Sequence, residues 1–134
     1  MEKVIVYAYV VADLLHVGHI LHLENSKALG DKLIVGVLTD EAVMEKKKKP
    51  ILSFSERMRL IKSLKCVDCV VPQADYSPIN NIKDIKPDIL VESSSHSDED
   101  LVETFKTSEK YSIKVIKMPY YPIQSSTKIK EKIK

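Results

Sequence analysis

His16-Val17-Gly18-His19 follows directly on the apolar run Val4 to Leu15. Two imidazoles flank one glycine where a predicted strand hands over to a predicted helix. A helix N-terminus offers unpaired N–H groups and the positive end of a dipole. Glycine lets the backbone approach a ligand closely. Histidines add donors that can follow charge as it develops on a phosphoryl group. The chemistry indicated is that of nucleotide phosphates. A bare H-x-G-H also recurs by chance, with both histidines as surface or capping residues. The strand before it and the amphipathic helix after it are the setting that phosphate chemistry needs.

Further groups of suitable type lie along the chain. Asp13 precedes the first histidine, although a turn-forming carboxylate is its plain reading. Lys46-Lys47-Lys48-Lys49 is ordinarily a solvated loop, but lysines there could reach the phosphates of a triphosphate or of a phosphorylated acceptor. Arg57 sits on a helix opened by Ser53 and Glu56, and a surface ion pair with Glu56 would account for it. Ser125-Ser126-Thr127-Lys128 begins the last predicted helix. Hydroxyls are normal caps there, and with the lysine they also make a cradle for phosphates.

These groups need elements to bring them together. Strands are predicted at Lys3 to Val10, Lys32 to Leu38, Val67 to Val71 (ended by Pro72), Asp88 to Val91 and Ile113 to Met118. Helices are predicted from Gly18 to Leu29 with Gly30 as the closing cap, briefly after Thr39, from Ser53 to about Leu64, at Ser77 to Ile85, at Glu99 to Lys110, and from Ser125 or Ser126 onward. Strand and helix alternate, and the strands are continuous apolar runs. That pattern predicts an α/β fold: one Rossmann-like domain over residues 1–134, with a five-stranded parallel sheet flanked by helices. Ligand should bind beyond the carboxyl ends of the strands, at the switch in strand order. Both His16 and Ser125 can reach that edge.

Composition narrows the classes. With 44% hydrophobic and 30% charged residues the chain reads as a soluble globular protein. A net charge of +2, with basic residues mostly scattered or matched by acids, points to no nucleic-acid partner. No apolar run is long enough for a membrane span. Met1-Glu2-Lys3 leads straight into a strand without a targeting pattern, which points to the cytoplasm. Cys66 and Cys69 form a C-x-x-C between a helix end and a strand start. A redox pair usually opens a helix, and no second pair completes a zinc site, so the expected role is packing.

Ala12-Asp13-Leu14-Leu15-His16-Val17-Gly18-His19 resembles the (G-T-F)-D-L-L-H-x-G-H motif of the small cytidylyltransferases, and Ser125-Ser126-Thr127-Lys128-Ile129 resembles their I-S-T-T-K-I motif. Leu29 to Val35, Thr39-Asp40-Glu41, the lysine loop, Arg57 and Val67-Asp68 fall at similar spacing between them. The resemblance covers nearly the whole chain. It implies a nucleotidyltransferase of HUP type: a phosphorylated or phosphonylated small acceptor attacks the α-phosphorus of CTP and pyrophosphate leaves, without a covalent intermediate. It implies His16, His19, Lys46 and Lys48 as catalytic groups. It implies Val10, Val11, Ala12, Asp13, Gly18, Arg57, Ser125, Ser126, Thr127 and Lys128 at the nucleotide, with Mg²⁺ on the phosphates and a homodimer as the assembly. The chain departs from the family at Val10-Val11-Ala12, where Gly-Thr-Phe is usual, and at Glu92-Ser93-Ser94-Ser95-His96, where a Gly-Asp-Asp segment is common. Lys48-Lys49-Pro50 followed by Ser53-Phe54-Ser55-Glu56-Arg57-Met58 also resembles adenylyltransferases acting on heptose phosphates, and the H-x-G-H is similar to that of archaeal-type FAD synthetases; either resemblance would make ATP the donor. Loss of catalysis with retention of nucleotide binding is a third reading, motivated by the two departures.

Overall fold

A computed structural model describes residues 2–94 and 96–119. The strands are β1 (Ile5–Val10), β2 (Lys32–Leu38), β3 (Cys69–Gln73), β4 (Ile89–Ser93) and β5 (Lys114–Met118). Between them lie α1 (Val17–Lys27), α2 (Asp40–Met44), α3 (Phe54–Lys62), α4 (Ile79–Ile85) and α5 (Val102–Lys110). The sheet is parallel throughout, in the order β3-β2-β1-β4-β5. The chain therefore builds outward from β1 in one direction and then returns to add β4 on the other side. The carboxyl ends of β1 and β4 border the switch point that the alternating pattern predicts.

Burial explains the pattern. From Leu33 to Leu38 every residue of β2 is buried, as a central strand covered on both faces requires. Val6, Ala8, Val35 and Val37 pack on one face with Leu23 of α1 and Ile61 of α3. Tyr7, Ile34 and Leu90 pack on the other with Ile82 of α4. Ser53 and Glu56 exchange side-chain and backbone hydrogen bonds at the start of α3, as their spacing predicts.

Two local expectations are corrected. Pro72 lies inside β3, paired with Val37, rather than ending it. The strand is at the sheet's edge, where a residue without an N–H is tolerated. Gly30 is not a left-handed cap, since no glycine has positive φ and Ala28 closes α1 in right-handed geometry. Its constraint is space: a Cβ there would lie 2.8 Å from the Val4 carbonyl oxygen and from Val6 Cγ2. Cys66 packs against the first cluster and Cys69 against the second. Burial pushes the Cys66 thiol up, away from the reactive thiolate.

Gly36 carries a testable consequence. A Cβ at this position would run into the Tyr7 hydroxyl. That hydroxyl donates to Gln73 Oε1 at 2.5 Å and accepts from Asn81 Nδ2 at 2.9 Å. Gly36→Ala must displace a fully buried tyrosine and break this chain. A loss of about 3 kcal/mol is expected from overpacking together with the lost hydrogen bonds. Urea denaturation measures it, and a change under about 0.5 kcal/mol would show that Tyr7 can repack freely.

Candidate active site at the strand-order switch

A cavity of about 300 Å³ opens at the carboxyl ends of β1 and β4. Its floor is Tyr9, Val10 and Val11, where β1 ends. Gly18 and the imidazoles of His16, His19 and His22 form one wall. Leu38, Lys47 and Tyr76 bring in the segments after β2 and β3, and Ser93, His96 and Pro119 those after β4 and β5.

The histidine wall is built by the helix start itself. His16 is the N-cap of α1, and its Nδ1 accepts the Gly18 N–H at 3.0 Å. In return the His16 N–H donates to His19 Nδ1 at 3.2 Å. The two rings lie with centroids 4.1 Å apart. Each Nδ1 is thus committed as an acceptor, so each neutral ring carries its proton on Nε2. Backbone geometry fixes both tautomers and leaves Nε2–H as the donor available to a ligand. Burial lowers the pKa of His16, while burial followed by the His16 and His22 charges lowers that of His19 to about 4. His22 is lowered by burial as well. The wall is therefore a set of neutral donors at neutral pH, beside a helix start with no acidic residue in its first turn.

The opposite wall is aromatic. His96 lies 6.5 Å from Tyr9 and 6.3 Å from Tyr76, centroid to centroid. Lys46 Nζ stands 5.3 Å from the centre of the Tyr76 ring. Behind Tyr9 is Glu92, 1% exposed, whose Oε1 accepts the Tyr9 hydroxyl at 2.6 Å.

The model of the family described as cytidylyltransferase-like matches residues 9–132. The chain belongs to this cytidylyltransferase-like family. It is 42% identical over 103 residues to the bifunctional protein HldE of Helicobacter pylori strain P12, covering 75% of this chain and 22% of that protein. It is 38% identical over 102 residues to HldE of Citrifermentans bemidjiense, covering 75% of this chain and 21% of that protein. The chain thus spans about a fifth of the length of these relatives. Among solved structures, the lipopolysaccharide core biosynthesis protein of Thermoplasma volcanium superposes with a TM-score of 0.80 at 30% identity, covering 90% of this chain and 99% of that one. A pantoate-beta-alanine ligase from Francisella tularensis shares the fold at 14% identity, with a TM-score of 0.63 over 96% of this chain and 65% of that one.

The sequence-predicted residues fall into separate groups. His16, His19, Gly18, Val10 and Val11 line the cavity. Lys46 and Lys48 do not, and the lysine on the wall is Lys47. Lys46 lies beside the wall, with its Nζ over the Tyr76 ring. Asp13 does not line the cavity either. Its two carboxylate oxygens accept the N–H groups of Ile51, at 3.0 Å, and Leu52, at 2.8 Å, tying the end of the lysine loop to the end of β1. Ala12 is wholly buried with φ of 63°, the left-handed turn that redirects the chain from β1 toward α1.

Arg57 requires a correction. It is neither on the surface nor paired with Glu56, and it does not line the cavity. Its side chain is fully buried and donates to the carbonyl oxygens of Val11 (2.8 Å), Leu38 (2.7 Å) and Leu52 (3.3 Å) and to Asp40 (2.6 Å). It joins the ends of β1 and β2 from behind. Ser125, Ser126, Thr127 and Lys128 lie outside the described residues. His22 and Tyr76 line the cavity without a signal read from the sequence, and His96 joins them from the segment that departs from the family. The spacing of His16, His19 and His22 by threes on one helix was the available signal for His22. Nothing local marks Tyr76.

The charge states give a signed pH expectation. The His19 value of about 4 lies below its ordinary 6.5, so between them the unfolded chain binds the extra proton and stability rises with pH. Glu92 is pushed by burial from 4.5 to about 7, with Tyr9 and Lys117 pulling it back. Over that window the folded chain holds the proton, which opposes the histidine trend. Glu92→Gln should therefore steepen the rise of stability between about pH 4.5 and pH 6.5. Urea titrations across this range measure it, and a flatter profile would contradict the assignment.

Proposed function

We propose that the chain transfers a nucleoside monophosphate from a nucleoside triphosphate to a small phosphorylated acceptor, releasing pyrophosphate. The observation that carries this is the pair of mutually capped histidines opening from the start of α1 into the cavity at the β1/β4 switch. In the proposed reaction an acceptor phosphate oxygen attacks the α-phosphorus in line, and the pyrophosphate oxygen leaves. The protein need supply no nucleophile, only position and charge stabilisation. Nε2–H of His16 and His19 would donate to the phosphate oxygens that gain charge. Lys47 reaches the cavity from the other side, with Lys46 and Lys48 flanking it as candidates for the triphosphate and the acceptor phosphate. Ser125, Ser126, Thr127 and Lys128 would hold the β- and γ-phosphates. Among the described residues no carboxylate lines the cavity and no cluster could cage a metal. Mg²⁺ would fit as an ion carried in on the triphosphate oxygens, where it offsets their charge.

Similarity to the HldE proteins and to a lipopolysaccharide core biosynthesis protein supports ATP as donor and a heptose-type sugar phosphate as acceptor. The Ser53-Phe54-Ser55-Glu56-Arg57-Met58 run supports the same choice. CTP is the second reading, favoured by the likeness of the first and last motifs to those of the small cytidylyltransferases. Pyrophosphate release with Mg²⁺ separates them, using ATP or CTP against heptose 1-phosphate, glycerol 3-phosphate, phosphoethanolamine, aminoethylphosphonate and FMN. Release with ATP and heptose phosphate is the expected result. Release with CTP alone would reassign the donor. Nucleotide binding without release from any acceptor would favour a binding module.

A further inference from the structure

The Tyr9–Glu92 pair has no part in handling phosphates, yet one member lines the cavity and the other is buried behind it. Glu92 is 1% exposed, and its Oε2 has no hydrogen-bond partner among the described residues. A buried carboxyl oxygen without a donor is costly, and such groups are retained where a ligand or a reaction uses them. The Tyr9 hydroxyl is already spent as a donor to Glu92 Oε1. What Tyr9 can still offer the cavity is therefore a lone pair. The facing ionisable groups do not change this. Tyr7 on β1 donates its own hydroxyl to Gln73, and Lys117 on β5 is held by Asp98 at 2.9 Å. At Tyr9 the wall therefore offers an acceptor, beside the donors of His96 and Lys46, and rewards a ligand that brings a donor to that point.

We propose that Tyr9, backed by Glu92, is a specificity-determining residue that selects acceptors carrying a hydroxyl or ammonium donor beside their phosphate. That the ligand is an acceptor substrate rests on the nucleotidyl-transfer reading above. Tyr9 would receive the ligand's hydrogen bond. Glu92 is a positioning residue: by accepting the tyrosine O–H it keeps that proton out of the cavity and the lone pair turned toward it. Burial holds Glu92 near the point of half-ionisation at neutral pH, and a ligand ammonium would draw it to the carboxylate.

Calorimetric binding to the whole chain, with and without α,β-methylene ATP, tests this on matched phosphates. Glycerol 3-phosphate is compared with propyl phosphate, and phosphoethanolamine with ethyl phosphate. The unaltered protein should bind at least one donor-bearing member about tenfold tighter than its apolar match, as one hydrogen bond to a charge-backed acceptor allows. A larger ratio in the first pair identifies a hydroxyl ligand and in the second an ammonium. Tyr9→Phe keeps the ring and should bring the ratio close to one while leaving affinity for the apolar phosphates in place. Glu92→Leu should reduce the ratio, and Glu92→Gln, which still accepts the tyrosine proton, should restore much of it. Equal affinities within both pairs would overturn the proposal, as would an unchanged ratio in Tyr9→Phe or no binding of any of the four. Pyrophosphate release from ATP with Mg²⁺, measured separately with the same protein and the same phosphates, keeps the two readings apart. Discrimination without release would remove the transfer reading alone, and release without discrimination would remove only this proposal.

Discussion

His16→Ala lowers turnover about 100-fold, the expected result when one preorganised donor to a transition-state phosphate is lost. That corresponds to about 3 kcal/mol of barrier. The substitution also removes an N-cap, at about 1 kcal/mol of stability, so the two losses must be separated. His16→Asn separates them. Asparagine is a good N-cap and can accept the Gly18 N–H, but it carries no group at the position of Nε2. It should restore the melting temperature and leave turnover low. Steady-state kinetics beside thermal melts give both numbers. If His16→Asn recovered turnover along with stability, the imidazole would be a cap and nothing more.

The second large effect lies behind the cavity. Arg57→Met is expected to cost about 3–5 kcal/mol of stability, the usual consequence of removing one partner from a buried charged network. The guanidinium serves the carbonyls of Val11 and Leu38 and the Asp40 carboxylate at once, and these would be left facing an apolar side chain. Arg57→Lys keeps the charge but loses the fork that reaches several acceptors, so it should recover only part of the loss. Against a total stability of about 5–15 kcal/mol, Arg57→Met would leave a marginal protein. Denaturant titrations check this. A cost below about 1 kcal/mol would mean that the strand ends hold together without the arginine.

What could be read in the sequence was what neighbouring residues decide. β2 was placed at Lys32 to Leu38 because a central strand is one unbroken apolar run between polar ends. The start of α3 was visible because Ser53 and Glu56 form a cap among themselves. The histidine wall was legible for the same reason, since His16 and His19 are joined through a single helical turn. β3 runs past the expected end at Val71 because an edge strand tolerates proline, and only the sheet order reveals that this strand lies at an edge. Arg57 is expected at the nucleotide, with a surface ion pair as the plain alternative, and its charge suggests both. Its spacing from Ile61, four residues on and equally buried, puts it on the inner stripe of α3, and that periodicity outweighs residue type. Tyr76 and His96 come to the cavity from separate loops, so no pattern along the chain could have assembled them.

Pro72 has a wider consequence. It is exposed on the edge strand β3 and has no N–H to give. Its carbonyl is not free either, because Asn81 Nδ2 donates to it at 2.9 Å. Midway along this rim, an approaching strand would meet neither a donor nor an unoccupied acceptor. Growth of the sheet from one molecule into the next is blocked there by chemistry rather than by a covering element. Crowded copies of this chain are thereby protected along that rim from the cross-molecular pairing that seeds aggregates, and any specific self-association through it must rely on side chains.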